Sequence, residues 1–171
     1  MQTENIFIDF DGVILDSEER MLERKYELGL HDHNNESEFD KYFEYTNLHP
    51  EEWDYILKDA KSINNSVEII KELEILKKEI VILTKIHTLK EMKTKIEVLR
   101  DKFEILCPVI FVPPGIKKHQ VVIPNNQLLV DDSKKNVHGW IENGGRGLIF
   151  DSTIDYDSES KVRSLEFLIK R

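Results

Sequence analysis

Cysteine is almost missing from this chain: Cys107 stands alone among 171 residues, which excludes an internal disulfide and fits a reducing compartment. Cys107 precedes Pro108 inside an apolar run, so a buried structural thiol is expected there rather than a nucleophile. No apolar stretch approaches the length needed to cross a bilayer. Met1-Gln2-Thr3-Glu4 supplies neither a basic n-region nor an apolar h-region. A secretory signal is therefore not expected, and the cytoplasm is the expected location. An excess of basic charge is missing too. The formal charge of −9 disfavours stable nucleic-acid binding and repels large polyanions at long range. There is no internal repeat and no low-complexity tract. What remains is 40% hydrophobic and 33% charged, the balance of a soluble globular domain long enough to bury a core.

The negative charge is unevenly spread. Residues 17–60 hold 13 acidic side chains against 5 basic ones, while the rest of the chain is close to balanced. That break marks a separate unit: a small helical insert over 17–60, between core segments 1–16 and 61–171. Tyr26, Phe39, Tyr42, Phe43, Tyr45, Trp53 and Tyr55 are interspersed through it and mostly form its own small core. Gly29 and residues 31–37 read as loop, and His49-Pro50 ahead of two glutamates reads as a helix start. His31-Asp32-His33 has no third ligand at useful spacing, so it reads as a solvated loop rather than a transition-metal site.

Outside the insert, strands alternate with helices. Residues 5–10 form a near-continuous apolar run, as expected of a strand buried in a parallel sheet. Val67, Ile70, Leu73 and Leu76 lay a helical stripe over 66–78, and Leu89, Met92, Ile96 and Leu99 another over 88–102. Strands are expected at 80–84, at 105–112 before Pro113-Pro114-Gly115, at 128–130 and at 147–150. Helices are expected over 134–142 and over 158–170. This order predicts an α/β fold: a Rossmann-like parallel sheet with helices on both faces, and the small helical cap inserted after the first strand.

Three of these strands end in chemically useful groups. Asp9 and Asp11 follow the first, with Gly12 directly behind them; Thr84 ends the second; Asp131 and Asp132 end the fourth. Lys117-Lys118 lies in the loop between the last two. In a parallel sheet all these ends share one edge, where open α/β folds bind ligands. Two aspartates so close repel unless a cation lies between them, and an all-oxygen set with a lysine suits magnesium plus a phosphate. His87, His119 and His138 have no partner in a triad pattern.

These segments resemble the haloacid dehalogenase superfamily on its phosphatase side, over nearly the whole chain. Asp9-Phe10-Asp11-Gly12-Val13 with Asp16-Ser17 matches its first motif, Ile82-Leu83-Thr84 the second, Lys117 or Lys118 the third, and Val130-Asp131-Asp132 the fourth. Spacing barely separates the two lysines; Lys118 is preferred. The resemblance implies that Asp9 is a nucleophile forming an aspartyl-phosphate, and that Asp11 is general acid and then base, its carbonyl touching the metal. It implies that Thr84 binds a phosphate oxygen, that the lysine neutralises charge, and that Asp132 binds Mg2+, with Asp131 acting through water or by holding the lysine. An acid at position 11 disfavours dehalogenation, which has no leaving alcohol to protonate. Leu129 to Asp132, Asn136, Trp140, Gly144-Gly145 and Gly147 to Phe150 are further similar to cytosolic and phage-type 5′-(deoxyribo)nucleotidases. That similarity implies a small phosphorylated metabolite, a nucleoside 5′-monophosphate, as substrate. A sugar phosphate, or a binding module without turnover, is the alternative. Lys85 departs from the nucleotidase pattern, which has a small residue there lining the phosphate loop; it joins Thr84 and Lys118 as an expected substrate-binding residue.

Overall fold

The structure is a computed structural model that describes residues 5–30 and 44–170. The His31-Asp32-His33 triplet and Phe39, Tyr42 and Phe43 lie outside the described residues. Six strands, β1 Ile6–Ile8, β2 Ile80–Lys85, β3 Val109–Val112, β4 Leu128–Asp131, β5 Arg146–Phe150 and β6 Lys161–Val162, form one parallel sheet in the order β3-β2-β1-β4-β5-β6. β1 is central: Ile6 pairs with Ile80 on one side and Leu128 on the other, and Ile8 with Ile82 and Val130. A strand covered on both edges and both faces must be apolar throughout, and all three of its residues are buried.

Side chains alternate between two cores, as the pleat requires. Ile6, Ile8, Ile80, Ile82, Leu128 and Val130 join the larger apolar cluster; Phe7, Leu83, Leu129, Val112 and Trp140 form the smaller one on the opposite face. Burying a side chain such as Ile8 contributes roughly 1.5–3 kcal/mol. Trp140 fills the smaller core from α6, its ring 5.2 Å from that of Phe7 and its Nε1–H donating to the Gln127 carbonyl at 2.9 Å. The chain passes this indole so closely at Gly145 that a Cβ there would lie 2.2 Å from Trp140 Cδ1.

The helices are α1 Ser17–Glu27, α2 Glu52–Asp59, α3 Ser66–Ile75, α4 Leu89–Glu97, α5 Lys118–Val121 and α6 Lys134–Glu142. Residues 44–48 are also helical, and α4 runs on as a π-helical turn over Val98–Lys102. The chain departs from the sheet at Asp16 and returns at Lys61, where the Asp16 N–H donates to the Lys61 carbonyl at 2.9 Å. Between these points α1 and α2 pack together: the Arg24 guanidinium grips Glu52 at 2.7 and 3.2 Å and stacks 4.2 Å over the Tyr55 ring. Further bonds tie α2 to α4, with Thr94 Oγ1 donating to Asp54 at 2.8 Å and Lys58 pairing with Glu97 at 3.0 Å. Among the described residues no helix is long and apolar enough to cross a membrane.

Three expectations change. The helix expected over 158–170 is instead β6 followed by a 3-10 turn, Leu165–Leu168. Ile149 and Asp151 donate to the carbonyls of Ser160 and Val162, so the open edge of β5 captures this segment. Val162, Leu165 and Leu168 are still buried at a spacing of three, which is why the pattern reads as helical. The helix expected over 88–102 forms, and Leu99 of its apolar stripe is buried, but the rest of the buried face differs. Leu89 is 78% exposed, while Glu91, Thr94 and Lys95 are buried. β3 also begins later than expected, at Val109, with Ile105 and Cys107 buried ahead of it.

Candidate active site

The loop after β1 presents Asp9 and Asp11 at the carboxyl edge. Phe10 is buried between them, and the turn closes with the Ile14 N–H donating to the Phe10 carbonyl and the Gly12 N–H to that of Leu15, both at 2.9 Å. Gly12 has φ +70°, and a Cβ on it would sit 2.2 Å from Asp132 Oδ2. Only glycine lets the fourth strand's carboxylate come so near the first loop. Carboxylate oxygens of Asp9, Asp131 and Asp132 lie within 4.8 Å of one another.

Lys118, at the start of α5, is buried and bridges two of these groups, its Nζ 2.8 Å from Asp9 Oδ1 and 2.6 Å from Asp131 Oδ2. Lys117 beside it is exposed. Asp131 is fully buried, and its oxygens also accept from the Ser133 N–H at 2.9 Å and from Asn136 Nδ2 at 3.1 Å. Asp131 therefore holds the lysine. Asp9 Oδ1 additionally accepts from the Phe10 N–H at 2.8 Å. Burial and the charge of Asp131 push the Asp9 carboxyl up to about 8, against the pull of the Lys118 ammonium. Burial and Asp131 likewise push Asp132 up to about 6. Three carboxylates and one ammonium sum to −2. That charge, with purely oxygen donors, fits a divalent hard cation such as magnesium.

Asp11 is held by a second lysine, which the motifs do not include. Lys95 of α4 is fully buried, and its Nζ lies 2.6 Å from Asp11 Oδ2, 2.9 Å from Glu91 Oε1, 3.0 Å from Thr84 Oγ1 and 2.8 Å from the Lys85 carbonyl. Ser17 Oγ donates to Asp11 Oδ1 at 2.7 Å. Burial alone would raise the Asp11 carboxyl, but the charge and hydrogen bond of Lys95, with the Ser17 bond, hold it below the usual range. Glu91 extends the chain outward, accepting from the His87 N–H at 2.7 Å. Glu91, Thr94, Lys95 and Val98 share one helical face, but nothing in the sequence alone separates that face from the apolar stripe beside it.

Thr84 is buried at the end of β2, accepting from Lys95 and donating toward the Lys85 carbonyl at 3.3 Å. Asp9, Asp11, Asp131, Asp132, Thr84 and Lys118 thus converge. Lys85 does not join the carboxylates; it lies on the wall of a pocket of about 220 Å3 with Asp9, Asp11, Asp132, Met21 and Trp53. His119 and His138 line a separate cleft, beyond this pocket. Cys107 is buried, and its thiol is pushed up to about 12 by burial and Glu74, as suits a structural residue.

The sequence matches no family model and no curated protein. Its fold is shared by solved structures. The Bacillus subtilis HAD-hydrolase YfnB, bound to magnesium, superposes with TM-score 0.68 at 14% identity, over 99% of this chain and 98% of that one. A dehalogenase with an intermediate complex gives 0.61 at 12% identity, over 97% and 95%. The D,D-heptose 1,7-bisphosphate phosphatase of Burkholderia thailandensis gives 0.50 at 14%, over 86% and 78%. The chain therefore has the haloacid dehalogenase-type α/β fold.

Proposed function

We propose that the protein is a magnesium-dependent phosphomonoesterase of the haloacid dehalogenase superfamily, acting through an aspartyl-phosphate on Asp9, with a nucleoside 5′-monophosphate as substrate. The carrying observation is the cluster of Asp9, Asp131, Asp132 and Lys118, with Asp11 beside it. The fold itself does not choose the reaction, since a dehalogenase and a phosphatase both share it. Asp11 supports the phosphatase: hydrolysing an ester needs a proton for the leaving oxygen, and a carboxyl two residues from the nucleophile can deliver it.

Asp9 and Asp132 would hold the magnesium directly, with Asp131 acting through water while it holds Lys118, and the bound ion would offset negative charge between nucleophile and phosphate. A carboxylate oxygen of Asp9 attacks phosphorus, and the bond from phosphorus to the ester oxygen breaks. The Lys118 ammonium offsets the repulsion between carboxylate and dianion. Asp11 is ionised in the resting site. The arriving phosphate dianion raises its affinity for a proton, which passes to the leaving oxygen. Asp11 then takes a proton from water as that water attacks the phosphoenzyme, releasing inorganic phosphate and restoring Asp9. Lys95 acts through Asp11, fixing the direction of its carboxylate. Residues 17–60 would serve as the cap over this pocket, Met21 and Trp53 forming its apolar wall.

The test is phosphate release from ribo- and deoxyribonucleoside monophosphates, sugar phosphates and 4-nitrophenyl phosphate, with magnesium and with chelator. Metal-dependent release concentrated on the nucleotides is expected. A flat profile would remove the nucleotide assignment. Asp9→Asn is expected to lose at least about 10³-fold in kcat while keeping its circular dichroism spectrum and melting transition. Substantial residual turnover would refute the covalent route.

A further inference from the structure

A second cleft neighbours the carboxylate pocket. It encloses about 870 Å3 between the loop after β2, the loop leading into α5 and the exposed side of α6. That is within the usual range of small-molecule sites. Its lining is basic in a chain whose formal charge is −9. Lys85, Lys117 and Lys135 line it, and no carboxylate among the described residues pairs with their ammonium groups. His87, His119 and His138 stand with them, and Glu142 is the one acidic lining residue. Lys118 also reaches its wall, but its charge is already matched by Asp9 and Asp131.

The cleft adjoins the reaction site. Lys85 and His87 line both it and the 220 Å3 pocket that contains Asp9 and Asp11. Asn136, which holds Asp131, lines it as well. A leaving group departing past Lys85 enters a chamber whose three lysines and one glutamate carry a surplus of +2, the charge that balances a second phosphate dianion. We infer that this cleft binds the distal part of the substrate, and that this part carries a second phosphate group. The substrate class is a small phosphate ester that carries a second phosphate beyond the one nearer Asp9, which is cleaved; on the nucleotide reading above it is a nucleoside 5′-phosphate bearing a further phosphate on its sugar. The inference rests on the phosphomonoesterase reading for its chemistry, but the cleft can be tested separately.

The experiment compares matched ligands that differ by one phosphate: adenosine 5′-monophosphate with adenosine 3′,5′-bisphosphate, and glucose 6-phosphate with glucose 1,6-bisphosphate. 4-Nitrophenyl phosphate, which has no second anion, is the reference. Lys117→Ala/Lys135→Ala removes two exposed side chains that make no contact with the carboxylate cluster. The wild type is expected to show a KM at least about tenfold lower for a bisphosphate than for its partner, and the double variant is expected to erase that advantage. The variant's kinetics on 4-nitrophenyl phosphate should not change. Equal KM values within both pairs, or a double variant that keeps the advantage, would overturn the inference. Calorimetric titration of each ligand into the wild type and the double variant reads the cleft without turnover. Tight bisphosphate binding that the variant loses, with no hydrolysis of any ester, would keep the cleft and discard the phosphatase. Hydrolysis of the aryl phosphate with equal binding of paired ligands would do the reverse.

Discussion

On the proposed acid role of Asp11, Lys95 is the residue whose removal separates catalysis from mere folding. It is buried against Asp11, Glu91 and Thr84, so Lys95→Met leaves a correctly sized side chain but an unguided carboxylate. For an alkyl ester such as a nucleoside monophosphate, kcat is expected to fall about 10²-fold; for 4-nitrophenyl phosphate, whose leaving group needs little protonation, less than tenfold. Equal losses on both would make Lys95 a structural residue. Gly12→Ala tests the neighbouring contact. Its Cβ would occupy the place of Asp132 Oδ2, so magnesium affinity is expected to weaken at least about tenfold, read by metal titration of activity or of melting temperature. The residues that end strands were legible because an apolar run followed by Asp or Thr fixes both their place and their edge. Lys95 was not, because a lysine flanked by helix formers looks like a solvated residue until the strand ends it reaches are known.

At the scale of elements, most strands and helices follow from period alone, since β1, β2 and β4 are apolar on both faces and α3 and α6 carry clear stripes. The exceptions have a common cause. A spacing of three satisfies an α-helix and a 3-10 turn alike, so Val162, Leu165 and Leu168 are buried as expected while the backbone pairs with β5. In α4 two stripes compete, and the polar one wins because three carboxyl-edge groups await it. The join between α6 and β5 offers a direct check of packing. Gly145→Ala would drive a methyl into the Trp140 indole and Pro124, and is expected to cost about 1–3 kcal/mol, measurable by urea denaturation, without altering the KM of any substrate.

Over the whole molecule, the site stores electrostatic cost that a cation relieves. Asp9 and Asp132 bind protons more tightly folded than unfolded, with values raised from 3.8 to about 8 and about 6. The folded chain therefore carries the extra protons, and the metal-free protein loses stability as pH rises from near 4 toward 8. Magnesium held there, as proposed, would compete with those protons. Its stabilising increment is expected to grow between pH 6 and 8, read from melting curves with magnesium against chelator. An increment independent of pH would show that neither carboxyl titrates there.

The hydrogen bond from Asp16 to Lys61 has a further consequence. It closes the stretch between them at its base, so that whatever its length, the chain leaves and rejoins the sheet at one point. Loop-closure entropy grows only logarithmically, by about 0.6 kcal/mol for each doubling of length. Descendants of this chain could therefore lengthen, shorten or exchange that stretch at little thermodynamic penalty. The strands that aim Asp9, Thr84 and Asp131 would stay unaltered, so the lining of the pocket beside them could drift while the carboxylate cluster stood still.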